Sequence, residues 1–487
     1  MWHYLCLSDT RRLCDLQPKR NEQIYNGPVG SLTATANAQL LQPTPRLVVN
    51  ITIDQLRTDY IETFAPMYTA DGLRKLLQQG RVYDGANYPF IPVDEASAIA
   101  SIATGTTPYY NSIVATQWLD RSTLRPVFCT DDRRYITSPS RMSTSTIGDE
   151  MKVSSNGNAL VYAIAPNKVT AVFSAGHAAD GALWIDDKGS GLTTSAYYPD
   201  KIRNWIAAYN KVNNQQLTTV AGRNAFIVKA AKACIKDNAL GKDEITDLLA
   251  VALSAKPATT SNPKIAAESI YLQLDKLLSD LITDIETTVG KNRVMFVVTS
   301  SGYNEEPNID YAKYRIPTGT FYINRTAKLL NIYLGAIYGQ GRYVETCFHN
   351  EIYLNRNLIE QKRLNLSDVL SRSQDFLIQN AGVSDVFTSE RLLANGNDIT
   401  KIRNGYNALI SGDIIIEVAP GWKLLNEDNQ ENYVSRSGLI PFPIIIYGLG
   451  IKPQRISTPV TVDQIAPTIA RTIHIRAPNA CKTEPLP

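Results

Sequence analysis

Three acidic residues stand where a carboxylate could do chemistry. Asp54 follows the β-branched run RLVVNITI (46–53), and Asp94 and Glu95 are adjacent in PVDEASAIASIATGTTPYY (92–110). Hard cations such as Mg²⁺ and Ca²⁺ accept carboxylate and water oxygens without any imidazole. A carboxylate can also form a covalent intermediate in hydrolysis, although neighbouring acids then need a cation to relieve their repulsion. The three acids therefore predict a site for one hard divalent cation.

A structural role for Glu95 competes with this prediction. The segment SAIASIATG (97–105) is rich in small residues and predicts a short helix that packs tightly on a sheet. An acidic side chain at a helix N-terminus meets unpaired N–H groups and the positive end of the helix dipole. We favour Glu95 as the cap of this helix, because a cap requires only local geometry.

Strands and helices alternate along the chain and would position these acids. The patterns predict strands over 46–55, 159–166, 168–176, 247–255, 293–303, 412–422 and 442–450, and helices over 70–80, 97–105, 265–289 and 461–475. This alternation predicts an α/β fold with a doubly wound, mostly parallel central sheet flanked by helices on both faces. Ligands of such sheets bind at the carboxyl ends of the strands, where Asp54 would lie.

Residues 46–487 are predicted to form one domain, in which the more polar stretch of about 304–407 is an inserted smaller lobe. Residues 1–45 form a separate N-terminal segment, and SLTATANAQ within it has a small-x-small pattern at Ala36 and Ala38. That pattern is typical of a signal-peptidase site, but the apolar stretch of an export signal is missing. A periplasmic or secreted protein with an incomplete signal and a cytoplasmic protein therefore both remain open.

Composition excludes several classes of partner. The 49 basic residues nearly balance the 46 acidic ones and form no long block, so nucleic acid is not an expected partner. No window approaches the roughly 20 apolar residues of a transmembrane span. The six cysteines are scattered without a CxxC motif, which favours buried free thiols over a metal finger.

Five segments, taken together and in this order, resemble the alkaline phosphatase superfamily: ITIDQLRTDY, PVDEASAIASIATGTTPYYNSIV, SAGHAADGALWIDD, VVTSSGY and PIIIYGLGIKP with VTVDQIAPTIA. The resemblance runs from about residue 46 to residue 486. It is to the bacterial phosphate-monoesterase branch near the type I phosphodiesterases and nucleotide pyrophosphatases. It implies an alkaline-phosphatase-like fold and a site where two zinc ions flank a Thr or Ser nucleophile.

The resemblance implies a site that this sequence only partly retains. Asp54 matches the first carboxylate ligand, whereas Glu95 stands where the family has its nucleophile. An Asp–His pair of the family falls on Ser301 and Gly302, and its last histidine falls at or near Pro441. A further Asp and His are missing from ALSAKPATTSNP (252–263).

Histidines are too few for the implied zinc pair, which takes three imidazoles. The chain holds His3, His177, His349 and His474. We expect His177 to pack beside a turn, and we expect neither His349 in the lobe nor His474 in the last helix to approach Asp54. No cofactor is therefore expected.

If the protein is active, the resemblance implies zinc. The weaker alternative is a single Mg²⁺ or Ca²⁺ at Asp54, Asp94 and Glu95, to which Glu305 or Glu306 could add a ligand.

Two cations are candidates for the residual cleft. Lys256 lies near the missing Asp–His motif and could partly replace the field of a metal ion, although an exposed lysine is the usual outcome. Arg57 in DQLRTDY is expected to hold the strand end through an ion pair.

The favoured function is that of a superfamily member which has lost two-zinc phosphoryl transfer and binds a protein, peptide or glycan in its residual cleft. The alternative is a divergent metal-dependent phosphatase or phosphodiesterase that uses Asp94 or Glu95. A disrupted gene without function is disfavoured, because the pattern of strands and turns continues to the C-terminus.

Overall fold

Strand β1 (Leu47–Asp54) is central in this computed structural model, which describes residues 43–213, 215–303, 310–394, 396, 399–434 and 440–487. All of its residues except Asp54 are buried. Apolar and β-branched runs that are covered on both faces form the inner strands of parallel sheets. The described residues belong to one compact unit, Pro43–Pro487.

The strands, numbered along the described chain, are β1 (Leu47–Asp54), β2 (Arg81–Asn87), β3 (Gln117–Asp120), β4 (Arg125–Phe128), β5 (Asp131–Asp132), β6 (Ile136–Thr137), β7 (Val161–Ala165), β8 (Gly181–Ile185), β9 (Leu192–Thr193), β10 (Asp247–Ser254), β11 (Val294–Ser300), β12 (Gly319–Tyr322), β13 (Val344–Phe348), β14 (Glu351–Leu354), β15 (Val383–Thr388), β16 (Ile414–Val418), β17 (Trp422–Asn426), β18 (Glu431–Tyr433), β19 (Phe442–Gly448), β20 (Gln454–Ile456) and β21 (Val460–Thr461). The α-helices are α1 (Thr58–Phe64), α2 (Leu73–Gln79), α3 (Glu95–Thr104), α4 (Pro108–Asn111), α5 (Ile147–Ser154), α6 (Lys168–Ala175), α7 (Asp200–Val212), α8 (Val220–Asn238), α9 (Pro263–Ile285), α10 (Ile323–Tyr338), α11 (Arg356–Gln361), α12 (Leu366–Leu377), α13 (Ser389–Leu393), α14 (Thr400–Gly405) and α15 (Ile465–Thr472).

The central sheet has the order β20-β2-β19-β11-β1-β10-β7-β8-β9, and β21 also pairs with β2. Strands β11, β1, β10, β7 and β8 run parallel, whereas β19 runs antiparallel to both β11 and β2. Helices α3, α5, α6 and α15 pack together as one group, and α1, α2, α8 and α9 form another. Both α6 and α8 pack on β7 and β10. The predicted α/β fold, with a mostly parallel sheet between helices, is confirmed.

One predicted strand of this sheet is a helix. The segment KVTAVFSAG (168–176) forms α6, which begins where the side chain of Asn167 accepts a hydrogen bond from the Thr170 N–H at 3.0 Å. It ends at Gly176, whose φ of +86° favours glycine. A short apolar run does not distinguish a buried strand from a buried helix, and here the side-chain cap of Asn167 starts a helix.

The described residues from Gly319 to Tyr433, which we call the lobe, contain two further sheets within this unit. Its sheets have the orders β13-β14-β16-β15 and β12-β17-β18. The lobe has its own apolar core, which includes Phe321, Leu334 and Ile416. The strand predicted over 412–422 therefore does not rejoin the central sheet, because β16 pairs with β14 and β15. Its apolar pattern showed that it is buried but not which sheet it joins.

Further sequence predictions concern the N-terminal pattern, two glutamates after β11, a membrane span and the cysteines. The N-terminal pattern at Ala36 and Ala38, together with Glu305 and Glu306, lies outside the described residues. No helix within the described ranges is long and apolar enough to cross a bilayer. Four cysteines lie in these ranges as free thiols, namely Cys129, Cys234, Cys347 and Cys481.

Candidate functional site

A cavity of about 180 Å³ lies at the carboxyl ends of the inner strands. Asp54 and Ser254 end the paired strands β1 and β10 and are direct neighbours in register. Ser301 follows β11, Glu95 begins α3, and all four residues line the cavity. The sheet thus brings together residues that are more than two hundred positions apart in the sequence, as expected for the ligand-binding edge of an α/β fold.

Asp54 is held at this edge by a neighbouring hydroxyl. The Ser301 hydroxyl donates a hydrogen bond to Asp54 Oδ1 at 3.0 Å. The following residue, Gly302, has a φ of +98°, and its carbonyl accepts a hydrogen bond from the Gln55 N–H at 3.1 Å. Ser301 and Gly302, which fall on the family's Asp–His pair, therefore form a turn that supports Asp54.

Asp94, and not Glu95, caps helix α3. The Asp94 carboxylate accepts a hydrogen bond from the Ala96 N–H at 2.7 Å, and the Ser97 hydroxyl lies 3.0 Å from the Asp94 N–H in a capping box. Thr116 Oγ1 also donates to Asp94, at 2.8 and 2.9 Å from its two carboxylate oxygens. The prediction that Glu95 is the cap is wrong by one residue, because the cap precedes the first helical residue. Asp94 does not line the cavity.

Glu95 instead connects two helices. Its Oε1 accepts hydrogen bonds from Asn167 Nδ2 at 2.7 Å and from Thr170 Oγ1 at 2.5 Å. Both donors belong to the first turn of α6 and its cap, and both line the cavity. The carboxylate at the family's nucleophile position is therefore an acceptor for neutral donors of a neighbouring helix.

Helix α8 contributes residues that the sequence did not identify. Asn224 Nδ2 donates to the Ser254 carbonyl at 2.8 Å, and the Ser254 N–H donates to Asn224 Oδ1 at 3.0 Å. Asn224 thus satisfies the backbone at the end of β10. Arg223 is the cationic residue among the described residues that line the cavity, and its Nε donates to the Leu217 carbonyl at 3.1 Å.

The predicted cleft cations lie elsewhere. Arg57 Nε donates to Asp59 Oδ1 at 2.8 Å, and its guanidinium stacks 4.4 Å from the Tyr60 ring centroid and 4.7 Å from that of Tyr303. Its ion pair is local to the start of α1 and does not line the cavity. Lys256 is exposed and also lies outside the lining.

Pro441, at or near the position of the family's last histidine, is also exposed. Its carbonyl accepts a hydrogen bond from the Thr58 N–H at 3.0 Å. Pro441 therefore stabilises the start of α1 through its carbonyl oxygen.

None of the described histidines lines the cavity. His177 lies 3.0 Å from Asp149 Oδ2 through Nδ1 and 3.0 Å from the Met142 carbonyl through Nε2. Burial opposes both charges, but the pair still raises the pKa of His177 and lowers that of Asp149. His349 lies in a turn of the lobe, and His474 is exposed just beyond α15. His177 therefore has the structural role expected of it.

The donor set does not fit a pair of zinc ions. Each zinc takes about four N, O or S ligands, and Asp54 and Glu95 are the carboxylates among the described residues of the lining. In the part of the chain that the structure describes, no group of three or more His, Cys, Asp or Glu side chains is placed to hold a metal ion. The described residues of this cavity therefore lack the ligands for the two-zinc arrangement that the resemblance implies.

Comparison with known proteins shows the family to which the chain belongs. The model of the type I phosphodiesterase / nucleotide pyrophosphatase family matches residues 48–438. The alkaline phosphatase PhoV of Synechococcus elongatus is 24% identical, and the match covers 89% of this chain and 91% of PhoV. The alkaline phosphatase PafA of Elizabethkingia meningoseptica is 23% identical, with 91% of this chain and 94% of PafA covered.

Two solved structures share the fold. The crystal structure of wild-type PafA has a TM-score of 0.79 at 22% identity and covers 91% of this chain and 98% of that chain. A phosphonoacetate hydrolase from Sinorhizobium meliloti, in complex with phosphonoformate, has a TM-score of 0.55 at 15% identity, with 89% and 96% covered. The architecture thus extends over nearly all of both chains.

Proposed function

We propose, from the premise that this chain belongs to the type I phosphodiesterase / nucleotide pyrophosphatase family of the alkaline phosphatase superfamily, that it uses the fold for binding and has lost two-zinc phosphoryl transfer. The observation that carries this proposal is the environment of Glu95. A nucleophile must be directed at the substrate, whereas the Oε1 atom of Glu95 accepts two hydrogen bonds from the start of α6. Glu95 has exchanged an attacking role for a structural one.

The charge of the cavity supports the same proposal. Asp54 and Glu95 line it together with one described cation, Arg223. A phosphate ester carries negative charge, and like charges at close range in a partly buried site repel strongly unless cations intervene. The two-zinc site of the family would supply those cations, but the described donor set does not fit it. Phosphate esters are therefore poor ligands for this cavity.

The size of the cavity limits its ligand. Pockets for drug-sized molecules measure roughly 300–1,000 Å³, and this cavity measures about 180 Å³. Ile99, Val220 and Leu253 add apolar surface to a lining that also holds hydroxyl and carboxylate groups. The proposed occupant is one side chain of a peptide or protein, or one sugar ring of a glycan.

The proposed location is the periplasm or the cell exterior. The support for it is the small-x-small pattern at Ala36 and Ala38, which is typical of a signal-peptidase site. A cytoplasmic location is the alternative.

A divergent metal-dependent phosphatase or phosphodiesterase is the second candidate. The observation that favours it is that curated relatives named alkaline phosphatases match about nine-tenths of this chain. Asp54 also keeps its position at the sheet edge beside Ser301. This function requires a divalent cation near Asp54 and Glu95, and the described part of the cavity offers it only those carboxylates.

Hydrolysis assays separate the two candidates. The purified protein is tested with p-nitrophenyl phosphate and bis(p-nitrophenyl) phosphate in Zn²⁺, Mg²⁺, Mn²⁺ and Ca²⁺, beside the variant Asp54→Ala. The binding proposal expects no metal-dependent turnover above that of Asp54→Ala. Metal-dependent turnover that Asp54→Ala abolishes would refute it and establish the second candidate.

A further inference from the structure

We propose that His349 is a pH-sensitive latch that fastens the lobe to β3, beside the segment that holds the cap of α3. This proposal does not depend on whether the protein hydrolyses phosphate esters. His349 follows β13, in a turn where its φ is +51°. Its Nε2 lies 3.2 Å from the carbonyl oxygen of Gln117 in β3, and its Nδ1 contacts the Glu431 carboxylate of β18.

The two partners of His349 are both acceptors. A carbonyl oxygen and an ionised carboxylate can only accept hydrogen bonds, and neutral imidazole has one N–H to donate. Both contacts of His349 are satisfied only when the ring is protonated, because imidazolium donates from both nitrogens. Loss of the proton therefore breaks one of the two bonds.

The rings beside His349 fix its position. The centroid of the Phe348 ring lies 4.1 Å from that of the imidazole, and the centroid of the Tyr433 ring lies 5.0 Å away. About a fifth of the His349 side chain is exposed. The ring is therefore held between Gln117 and Glu431. Because the neighbouring rings restrict rotation of the side chain, its two hydrogen bonds depend mainly on whether the imidazole is protonated.

The acceptor groups around His349 stabilise its protonated form. Burial opposes it, but the Glu431 carboxylate, Glu351 and the Gln117 carbonyl outweigh burial and raise the pKa of His349. Glu351 is half-buried at the start of β14 and accepts hydrogen bonds from the Tyr353 hydroxyl at 2.6 Å and from the Gly412 N–H at 2.9 Å. Burial raises the pKa of Glu351 as well.

Arg121 and Asp413 also join the lobe to the segment after β3. Arg121 directly follows β3, and its Nη1 donates to Asp413 Oδ2 at 3.1 Å. Arg356 Nε donates to Asp413 Oδ1 at 2.8 Å. Arginine stays protonated in proteins, and the Asp413 side chain is fully buried between these cations. This ion pair therefore fastens the lobe beside His349, whose two contacts depend on its proton.

The sign of the pH dependence follows from the raised pKa values. A histidine whose pKa is higher in the folded state stabilises that state below about pH 6.5, its ordinary value, and loses the contribution as pH rises through the folded pKa. The raised pKa of Glu351 acts in the same direction. The pKa of Glu431 is lowered, since His349 outweighs burial there, and its contribution disappears only at more acidic pH.

The latch connects directly to the candidate site. Gln117 follows Thr116, whose hydroxyl donates to both carboxylate oxygens of Asp94 at 2.8 and 2.9 Å. Asp94 caps α3, and the first residue of α3 is Glu95, which lines the cavity. Release of His349 from Gln117 therefore removes one attachment between the lobe and the segment that positions Glu95.

Hydrogen–deuterium exchange of the whole protein tests the latch. Protection of β13, β14 and β18, corrected for intrinsic exchange and compared with β1, is expected to fall about tenfold between about pH 5.5 and about pH 8.5, as one charge-assisted bond is lost. In His349→Gln, protection should be low at both pH values. The control His474→Gln changes an exposed histidine and should behave as the wild type.

Two results would overturn the latch. One is equal protection of these strands at both pH values in the wild type, and the other is an unchanged pH dependence in His349→Gln. If His349→Gln does not fold, the imidazole proton resonance of His349 in the wild type, assigned with Glu431→Gln, provides a separate test. A midpoint above about 6.5 supports the proposal, and a midpoint at or below it refutes the proposal.

Discussion

Thr170 Oγ1 donates a hydrogen bond to Glu95 Oε1 at 2.5 Å, which joins the first turns of α6 and α3 at the edge of the cavity. Asn167 Nδ2 donates to the same oxygen at 2.7 Å. The position that the family resemblance assigns to a nucleophile thus contributes to the packing of two helices. This relationship links the proposed loss of catalysis to the retained packing of α3 and α6.

Removal of the Glu95 carboxylate should destabilise the protein. In Glu95→Ala, the donors of Asn167 and Thr170 lose their acceptor, and we expect the free energy of unfolding to fall by about 1–2 kcal/mol. Urea denaturation at neutral pH measures the change. Glu360→Ala, at an exposed position of α11, is the matched control and should leave stability nearly unchanged. An equal effect of both variants would contradict a structural role for Glu95.

Asp94 should behave as a helix cap. Asp94→Ala removes the acceptor of the Ala96 N–H and should cost about 1–2 kcal/mol of stability. Asp94→Asn should restore most of it, because asparagine caps helices about as well as aspartate. Thermal unfolding of the three proteins measures this. If Asp94→Asn is as unstable as Asp94→Ala, then the negative charge and not the cap is essential.

These two acids show what the sequence could and could not reveal. The run LVVNITID predicted a buried strand that delivers Asp54 to the sheet edge, because strand burial and strand ends follow local patterns. The sequence pattern places the cap of α3 at Glu95, one residue after the observed cap Asp94, because the ends of elements are the least certain part of such a prediction. Four other lining residues reach the cavity only because α6 and α8 pack on the sheet, and local sequence patterns do not encode that packing. They are Asn167, Thr170, Arg223 and Asn224. The pairing of β16 within the lobe is likewise a matter of tertiary structure.

The pair of His177 and Asp149 should make stability depend on pH. The raised pKa of His177 stabilises the fold below about pH 6.5 and is lost above the folded pKa, whereas the lowered pKa of Asp149 stabilises it above about pH 4 and is lost under acid. Urea denaturation of the wild type should therefore show decreasing stability from about pH 6 to about pH 8.

His177→Gln should reduce this pH dependence, because glutamine keeps polar contacts but does not titrate in this range. Comparison with His474→Gln, at an exposed position, isolates the contribution of the pair. A pH profile of His177→Gln that coincides with that of His474→Gln would contradict the account of the pair.

Gly105 should not tolerate a side chain. It ends α3 with a φ of +65°, and a Cβ atom there would lie 2.9 Å from Cys481 Sγ and 3.0 Å from Pro467 Cδ. Gly105→Ala should therefore lower stability by roughly 1–3 kcal/mol. Gly335→Ala in α10 is the control, because a Cβ atom at Gly335 would have no atom within 4 Å apart from its chain neighbours and the backbone of its own helix. This variant should be more stable by about 0.5–1 kcal/mol. Calorimetry that finds both variants equally stable would contradict the close packing of α3 against the C-terminal segment.

Anomalous X-ray diffraction at the zinc edge, from crystals soaked in zinc and phosphate, tests the proposed loss of the metal centre most directly. We predict no pair of zinc peaks where β1, β10 and β11 end. Asp54 and Glu95 are the carboxylates among the described lining residues, and two carboxylates are too few ligands for two zinc ions. Two zinc peaks beside Asp54 with phosphate between them would contradict it.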